Sequence, residues 1–270
     1  MILPAYLKEW RQFAPWIRDA MVEQDLILSR ALIELFSHPK IAETLAFRGG
    51  TALYKLYIQP ALRYSEDIDL VQVAAAPIGE VLDIIKNILD PWLGQPRRNF
   101  KEGRVTIIYR LTLNNGMPSR LKIEINTREH FALYGFCKKP FKVESRWFAG
   151  QTEILTFSLN ELMATKIRAL YQRKKGRDLF DLWVALQQET YQAKLSVDGF
   201  LAYMKNDGKH ITRAMFEQNL AEKLTSPLFC EDITPLLKPK LDWNLELAAE
   251  GVKENIITLL PGEPWQGNNN

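Results

Sequence analysis

Cysteine and histidine are scarce in this chain: Cys137 and Cys230 are the only cysteines, and His38, His130 and His210 the only histidines, in 270 residues. There is no C-x-x-C and no closely spaced histidine pair, which excludes a disulfide framework and a zinc site of ordinary spacing. The two cysteines are therefore expected to be buried free thiols, and the three histidines incidental. Also missing is any run approaching the roughly 20 apolar residues that a membrane span needs. The opening MILPAYLKEWRQF is charged by Lys8, too early for the apolar region of a signal peptide, so a cytoplasmic protein with no membrane partner is expected. Neither sign of charge dominates, and a net charge of +3 is too small to argue for a nucleic-acid partner by itself.

What is present is an ordinary soluble composition, 47% hydrophobic and 25% charged, long enough for one large domain or two modest ones. The positive residues gather in two places. RRNFKEGR holds Arg97, Arg98, Lys101 and Arg104 against one acid, and RALYQRKKGR holds Arg168, Arg173, Lys174, Lys175 and Arg177 against none. Such runs are solvated faces unless something beside them needs an anion. The second run is expected to face a cleft and guide a polyanionic acceptor.

Periodicity organises the rest. WIRDAMVEQDLILSRALIELFSH spaces its apolar residues as a helix does, and Pro39 marks a break. TLAFRGG followed by TALYKLYI reads as strand, tight turn, helix, with the glycines at the turn. SEDIDLVQV alternates with period two, placing Asp67, Asp69 and Val71 on one face and Ile68, Leu70 and Gln72 on the other. IGEVLDIIKNILDPWL is helical and is expected to stop near Pro91. RVTIIYRLTLN and RLKIEINTRE form a hairpin around NNGMPS, with Lys122, Glu124 and Asn126 sharing one face of the second strand. The tryptophans, including Trp10, Trp16 and Trp183, and the stretch HFALYGF are expected in the core. From Ser158 the pattern turns helical, opened by a capping box with Glu161, interrupted at Gly176 and resumed in RDLFDLWVALQQ. Further helices are expected in VDGFLAYMKN, ITRAMFEQNLAEKL and LDWNLELAAEGVKENIITLL.

Two carboxylates at i and i+2 on a strand can reach one divalent cation, and a third from a neighbouring strand would complete a two-metal site. Mg²⁺, or Mn²⁺ in its place, suits such an oxygen-rich and partly filled site, because substrate phosphates supply the remaining ligands. Glu124 is the best candidate for the third carboxylate. Gly49 and Gly50 would let the backbone approach a phosphate at a helix N-terminus, where Thr51 adds a hydroxyl. Strand, G-G-T, helix, then a D-x-D strand is the element order of the DNA polymerase β-type nucleotidyltransferase core.

FRGGTALYKLY with RYSEDIDL resembles the first motif of the AbiEii/AbiGii-type (MenT-like) nucleotidyltransferase toxins. ELMATKIRALYQRKKGRDLFDLW resembles their downstream lysine and R-D-L-x-D-L motif, and VEQDLIL their N-terminal helix. The resemblance implies an α/β (α+β) fold: a DNA polymerase β-like core with a mixed sheet and N-terminal helices over residues 1–157, and a helical C-terminal domain over 158–262 that completes the cleft. A disordered tail is expected over 263–270. It further implies an enzyme of a toxin–antitoxin (abortive infection) system that takes a nucleoside triphosphate with Mg²⁺ or Mn²⁺. Its nucleotide would go to an acceptor, most simply tRNA, and an antitoxin would be encoded nearby. Carried onto this sequence, the catalytic set is Asp67, Asp69, Lys166, Asp178 and Asp181, and the metal ligands are Asp67, Asp69 and Glu124. The nucleotide-binding set is Gly49, Gly50, Thr51, Lys166 and Arg173. Lys166 and Arg173 lie on one helix face, where Asp178 or Asp181 could hold them, orient a base or ribose, or act on the acceptor hydroxyl. A salt-bridged helix junction is the structural alternative for that motif. Other readings of the whole chain are a non-catalytic nucleotide- or RNA-binding module, which the paired acids oppose, and a transferase acting on a small molecule or a protein.

Overall fold

The computed structural model describes residues 2–267, and the chain divides into two compact units, residues 1–157 and 158–270. The first unit opens with helices α1 (Pro4–Trp10), α2 (Asp19–Phe36) and α3 (Pro39–Thr44). Proline stands at the N-terminal end of α1 and of α3, where its missing N–H costs nothing, so Pro39 both separates α2 from α3 and starts the latter. Strand β1 (Leu45–Arg48), helix α4 (Gly49–Leu56), strand β2 (Asp67–Gln72) and helix α5 (Gly79–Leu93) follow. Then come β3 (Arg97–Lys101), β4 (Arg104–Thr112), β5 (Pro118–Asn126), β6 (Phe136–Glu144) and β7 (Ala149–Phe157).

These strands form one mixed sheet in the order β3-β4-β5-β2-β1-β7-β6. β2 pairs with β5 in parallel, as β1 does with β7, and the remaining neighbours are antiparallel. Alternation decides which residues go inward: Ile68 and Leu70 of β2, and Leu121, Ile123 and Ile125 of β5, are buried, whereas Asp67, Asp69, Lys122, Glu124 and Asn126 are half-buried on the other face. Helix α2 lies against the sheet with Leu26, Leu28, Leu32 and Phe36 fully buried. It also buries Asp25, whose Oδ1 accepts from Trp10 Nε1 at 2.8 Å and from Lys55 Nζ at 2.7 Å, joining α1, α2 and α4.

The second unit contains α6 (Leu159–Gln172), α7 (Gly176–Ala185), α8 (Ala193–Asn206), α9 (Arg213–Leu224), the single turn α10 (Pro227–Cys230) and α11 (Leu245–Asn255). Ser158 caps α6 by accepting the Glu161 N–H at 3.2 Å, while the buried Glu161 carboxylate accepts the Tyr203 hydroxyl of α8 at 2.6 Å. Tyr171 packs between Phe200 and Phe216, and Trp243 sits edge-on against Phe180 and Trp183. α7 begins at Gly176, where any Cβ would overlap the Phe229 carbonyl oxygen.

Several expectations need correction. HFALYGF is not core: Leu133 and Tyr134 are exposed in a loop that turns at Gly135 with φ +71°, and Phe136 begins β6. Trp10 and Trp16 are buried, but Trp183 is half-buried. Both cysteines are free and half-buried rather than buried, with Cys230 donating its thiol hydrogen to the Leu224 carbonyl at 3.2 Å. The tail is tied down at Trp265, whose N–H reaches Glu217 Oε2 at 2.8 Å; its last three positions, 268–270, lie outside the described residues. No helix among the described residues is long and apolar enough to cross a membrane.

Candidate functional site

Parallel pairing of β2 with β5 sets Asp67 opposite Lys122 and Asp69 opposite Glu124, so three carboxylates and one ammonium share a small area of the same sheet face. Lys122 Nζ lies 2.6 Å from Asp67 Oδ2 and 3.5 Å from Glu124 Oε2. Burial works against the Lys122 charge, but its hydrogen bond to Asp67 and the field of the three acids outweigh this and hold its pKa above the ordinary lysine value. Asp69 is shifted the other way from a typical carboxylate in an ion pair: burial raises its pKa, the charges of Asp67 and Glu124 add to the rise, and Arg48 and Lys122 only partly offset it. Arg48, directly opposite Asp69 on β1, is itself paired with Glu129 at 2.9 Å.

The glycine turn closes over this acid cluster. Gly49 has φ +81°, and a Cβ there would overlap Asp69 Oδ2, so glycine is required both by the backbone and by the carboxylate beside it. A Cβ on Gly50 would instead meet the guanidinium of Arg63, a buried residue that donates to the Tyr64 carbonyl at 3.0 Å and lies over the Tyr54 ring. Thr51 is buried, with its hydroxyl 2.8 Å from that of Ser65. That contact ties the first turn of α4 to the segment entering β2. Behind it, a cavity of about 310 Å³ is lined by Trp10, Trp16, Thr51, Lys55 and Arg63 among others, and Lys55 is neutralised there by Asp25.

The chemistry of the donors suits a divalent cation. Asp67 Oδ1 is buried with no hydrogen-bond partner, and Asp69 carries an ionisation penalty that a cation would remove. Among the described residues no group of three His, Cys, Asp or Glu side chains is drawn together into a ready-made cage. The three acids are in register but spread around Lys122, an arrangement that leaves coordination positions to be filled from outside the protein.

In the helical unit, Lys166 is almost fully buried, with Nζ 3.2 Å from Asp178 Oδ1 and 2.7 Å from Asp181 Oδ2, both acids being inaccessible. Arg173, the residue that ends α6, turns back to bind Asp178 through Nε at 2.7 Å and a terminal nitrogen at 2.8 Å. Burial opposes the Asp178 charge, and Lys166 and Arg173 overcome it, so this carboxyl stays below its usual range. Lys223 donates to the Leu170 and Tyr171 carbonyls at the end of the same helix, and burial brings its pKa down to about 8.

The basic run around this motif is largely neutralised inside its own unit: Arg168 faces Asp207 at 3.9 Å, Arg173 binds Asp178, and Lys175 and Arg177 reach Asp232 at 3.2 and 3.3 Å. Asp178 was already marked by its motif, whereas Asp207 and Asp232 lie well beyond the run in sequence and carry no local signal. Arg63 and Ser65 were likewise invisible from their own neighbourhood. Lys122 was visible as a face-mate of Glu124, but its ion pairs depend on the strand beside it.

The family model described as nucleotidyl transferase AbiEii toxin, type IV TA system, matches residues 30–250. Among solved structures, MenT4, a nucleotidyltransferase toxin from Mycobacterium tuberculosis H37Rv, aligns with a TM-score of 0.60 at 17% identity, covering 97% of this chain and 100% of its own. JHP933 from Helicobacter pylori aligns with a TM-score of 0.56 at 19% identity, covering 90% and 93%. At such identities the likeness is one of fold. No curated protein matches in sequence. The family match spans most of both units and includes the G-G-T turn, the D-x-D strand and the R-D-L-x-D-L helix, and on that basis the chain belongs to the AbiEii family of nucleotidyltransferase toxins of type IV toxin–antitoxin systems.

Proposed function

We propose that this protein transfers a nucleotide from a nucleoside triphosphate to an RNA acceptor, a tRNA in the first instance, in a reaction that depends on Mg²⁺ or Mn²⁺. The observation that carries this reading is the register of β2 with β5, which brings Asp67, Asp69 and Glu124 onto one face beside the Gly49 turn. In this reading Asp67, Asp69 and Glu124 hold the metal, which when bound supplies charge neutralisation at the triphosphate and at the attacking hydroxyl. Gly49 and Gly50 keep the first turn of α4 clear so that phosphate oxygens approach its backbone N–H groups, and Thr51 anchors that turn through Ser65. Lys122 keeps the acids compensated until phosphates and metal arrive. In the helical unit, the family motif supports Lys166 and Arg173 as cations for the triphosphate, held by Asp178 and Asp181.

A cognate antitoxin and a cytoplasmic setting complete the reading, both supported by membership of a toxin–antitoxin family. The test is to incubate the protein with each labelled triphosphate and total RNA, with and without Mg²⁺. Asp67→Ala/Asp69→Ala should lose transfer and Mn²⁺ binding while remaining folded. Full transfer by that double variant at saturating Mg²⁺ would sink the metal-site reading.

A further inference from the structure

We infer that the outer part of the sheet face carrying Asp67, Asp69 and Glu124 seats a single nucleic-acid strand, gripped by its phosphates and not read by its bases. The inference rests on the reading of an RNA acceptor given above. Strand register puts Arg97 and Lys101 of β3, Arg104 and Arg110 of β4, and Arg120 of β5 on the same face as Glu124; the β3 and β4 residues lie between the acids and the open edge of the sheet, and Arg120 lies four residues before Glu124 on its own strand. All five are exposed. Among the described residues, only Arg104 reaches a carboxylate, Glu124 at 3.5 Å, and the other four make no ion pair. In the basic run of α6 and α7, by contrast, Arg168, Arg173, Lys175 and Arg177 already meet Asp207, Asp178 and Asp232.

The pairing itself is unfavourable without an anion. Arg110 stands directly opposite Arg120, and Lys101 directly opposite Arg104, although like charges facing each other across strands destabilise a sheet. Edge protection accounts for cations on β3, which ends the sheet, and on the ends of β4 and β5 that run past their pairs with β3 and β2, but not for placing Arg110 and Arg120 directly opposite each other. The two like-charge pairs sit at opposite ends of β4, about 20 Å apart at 3.3 Å per residue, so they suit an extended ligand and not a single phosphate.

Between those pairs the same face carries Arg97, Asn99, Thr106, Ile108, Lys122 and Glu124, with no aromatic side chain among them. A protein partner would need an apolar or aromatic centre to its interface, and base reading would need stacking platforms. This face offers one half-buried isoleucine, Ile108, and no aromatic ring. Exposed Phe100 is opposite Val105 and therefore points to the other side of the sheet. Four of the five cations are arginines, whose planar fork suits phosphate oxygens.

The experiment is fluorescence anisotropy with a labelled oligouridylate of about 20 nucleotides, over about 50 to 300 mM KCl, using the full chain. A labelled polyglutamate of similar length is the protein-like control. The parent should bind the oligonucleotide with a steep salt dependence, and changing the base to adenine or cytosine should alter affinity by less than about threefold. Arg110→Ala/Arg120→Ala and Arg97→Ala/Lys101→Ala, all at exposed positions, should each weaken binding by about tenfold or more. Each should also flatten the slope of log affinity against log salt by about 0.7 for every phosphate that is no longer neutralised. Parental affinity and slope in both double variants would overturn the assignment, as would tighter binding of polyglutamate than of oligouridylate. Mn²⁺ binding followed by electron paramagnetic resonance keeps the two readings apart. If it still requires Asp67 and Asp69 while the arginine variants bind oligonucleotide normally, only this surface assignment fails.

Discussion

Lys122 places its ammonium 2.6 Å from Asp67 and 3.5 Å from Glu124, bridging two of the three site carboxylates from within the same sheet. Lys122→Met should therefore leave three like charges in close register, compensated only by Arg48 beside Asp69 and by Arg104 beside Glu124. The expected loss of stability is about 1–3 kcal/mol, the usual cost of stranding a partly buried polar partner. A divalent cation should then restore more stability than it gives the parent, because it relieves a larger repulsion. Thermal melts with and without Mn²⁺ measure this, and an equal Mn²⁺-induced rise in parent and variant would contradict it.

Gly49 and Gly50 are adjacent but not equivalent. Gly49→Ala must take a residue with a Cβ to φ +81° and push it into Asp69, whereas the Gly50 substitution meets the end of the Arg63 side chain and, at 3.2 Å, the Ser65 hydroxyl. Gly49→Ala should cost about 1–2 kcal/mol in backbone energy alone and should also weaken Mn²⁺ binding by displacing Asp69. Gly50→Ala should be the milder of the two in both respects. Calorimetry of the two variants decides, and a Gly50→Ala protein less stable than Gly49→Ala would show that Arg63 is the more rigid neighbour.

Lys166, Asp178 and Asp181 form a buried ion cluster, and removing one member leaves charge without its partner. Lys166→Ala should destabilise the protein by about 3–5 kcal/mol, read from denaturant unfolding. If the family role holds, the folded variant also shows a raised apparent KM for the triphosphate, and Lys166→Arg does not rescue it because a planar guanidinium cannot occupy the same point. Asp178 has a depressed folded pKa, so its contribution is present above the unfolded value of about 4 and is lost as pH falls through the folded value. Asp178→Asn should remove that part of the acid sensitivity. An identical acid-unfolding profile in the variant would be the contrary result.

Lys223 gives a test at the other end of the pH scale. Its folded pKa is about 8, below the unfolded value of about 10.4, so between these the unfolded chain binds the extra proton and stability rises with pH. Lys223→Met should lower stability at neutral pH by about 1–3 kcal/mol, since the Leu170 and Tyr171 carbonyls lose their donor. It should also abolish the rise, so that the difference between parent and variant widens from about pH 8 to about pH 10. A constant difference across that range would rule out a titrating Lys223.

Much of the fold was legible because its signals are local. Period two in SEDIDLVQV and RLKIEINTRE declared the inward and outward faces of β2 and β5, and helical spacing located α2, α5 and α6. Gly-Gly before an apolar helix marked the turn ahead of α4, since few other residues tolerate φ +81°. The strands β3, β6 and β7 were missed. β3 is exposed along its whole length and so has no inward side to alternate, while β6 carries a proline at Pro140 inside a short lysine run.

The sequence by itself determined which side of each strand its acids would occupy and where the chain would turn, because backbone geometry and the burial of apolar residues act over a few positions. Tertiary structure alone decided which strands became neighbours, and hence that Lys122 stands between Asp67 and Glu124 and that Arg110 faces Arg120. It likewise decided that Asp207 and Asp232 neutralise one basic run while the sheet face keeps most of the other unpaired. Charge partners separated by tens of residues meet only when the chain folds, and Coulomb interactions depend on their distance in space, whatever their separation along the chain.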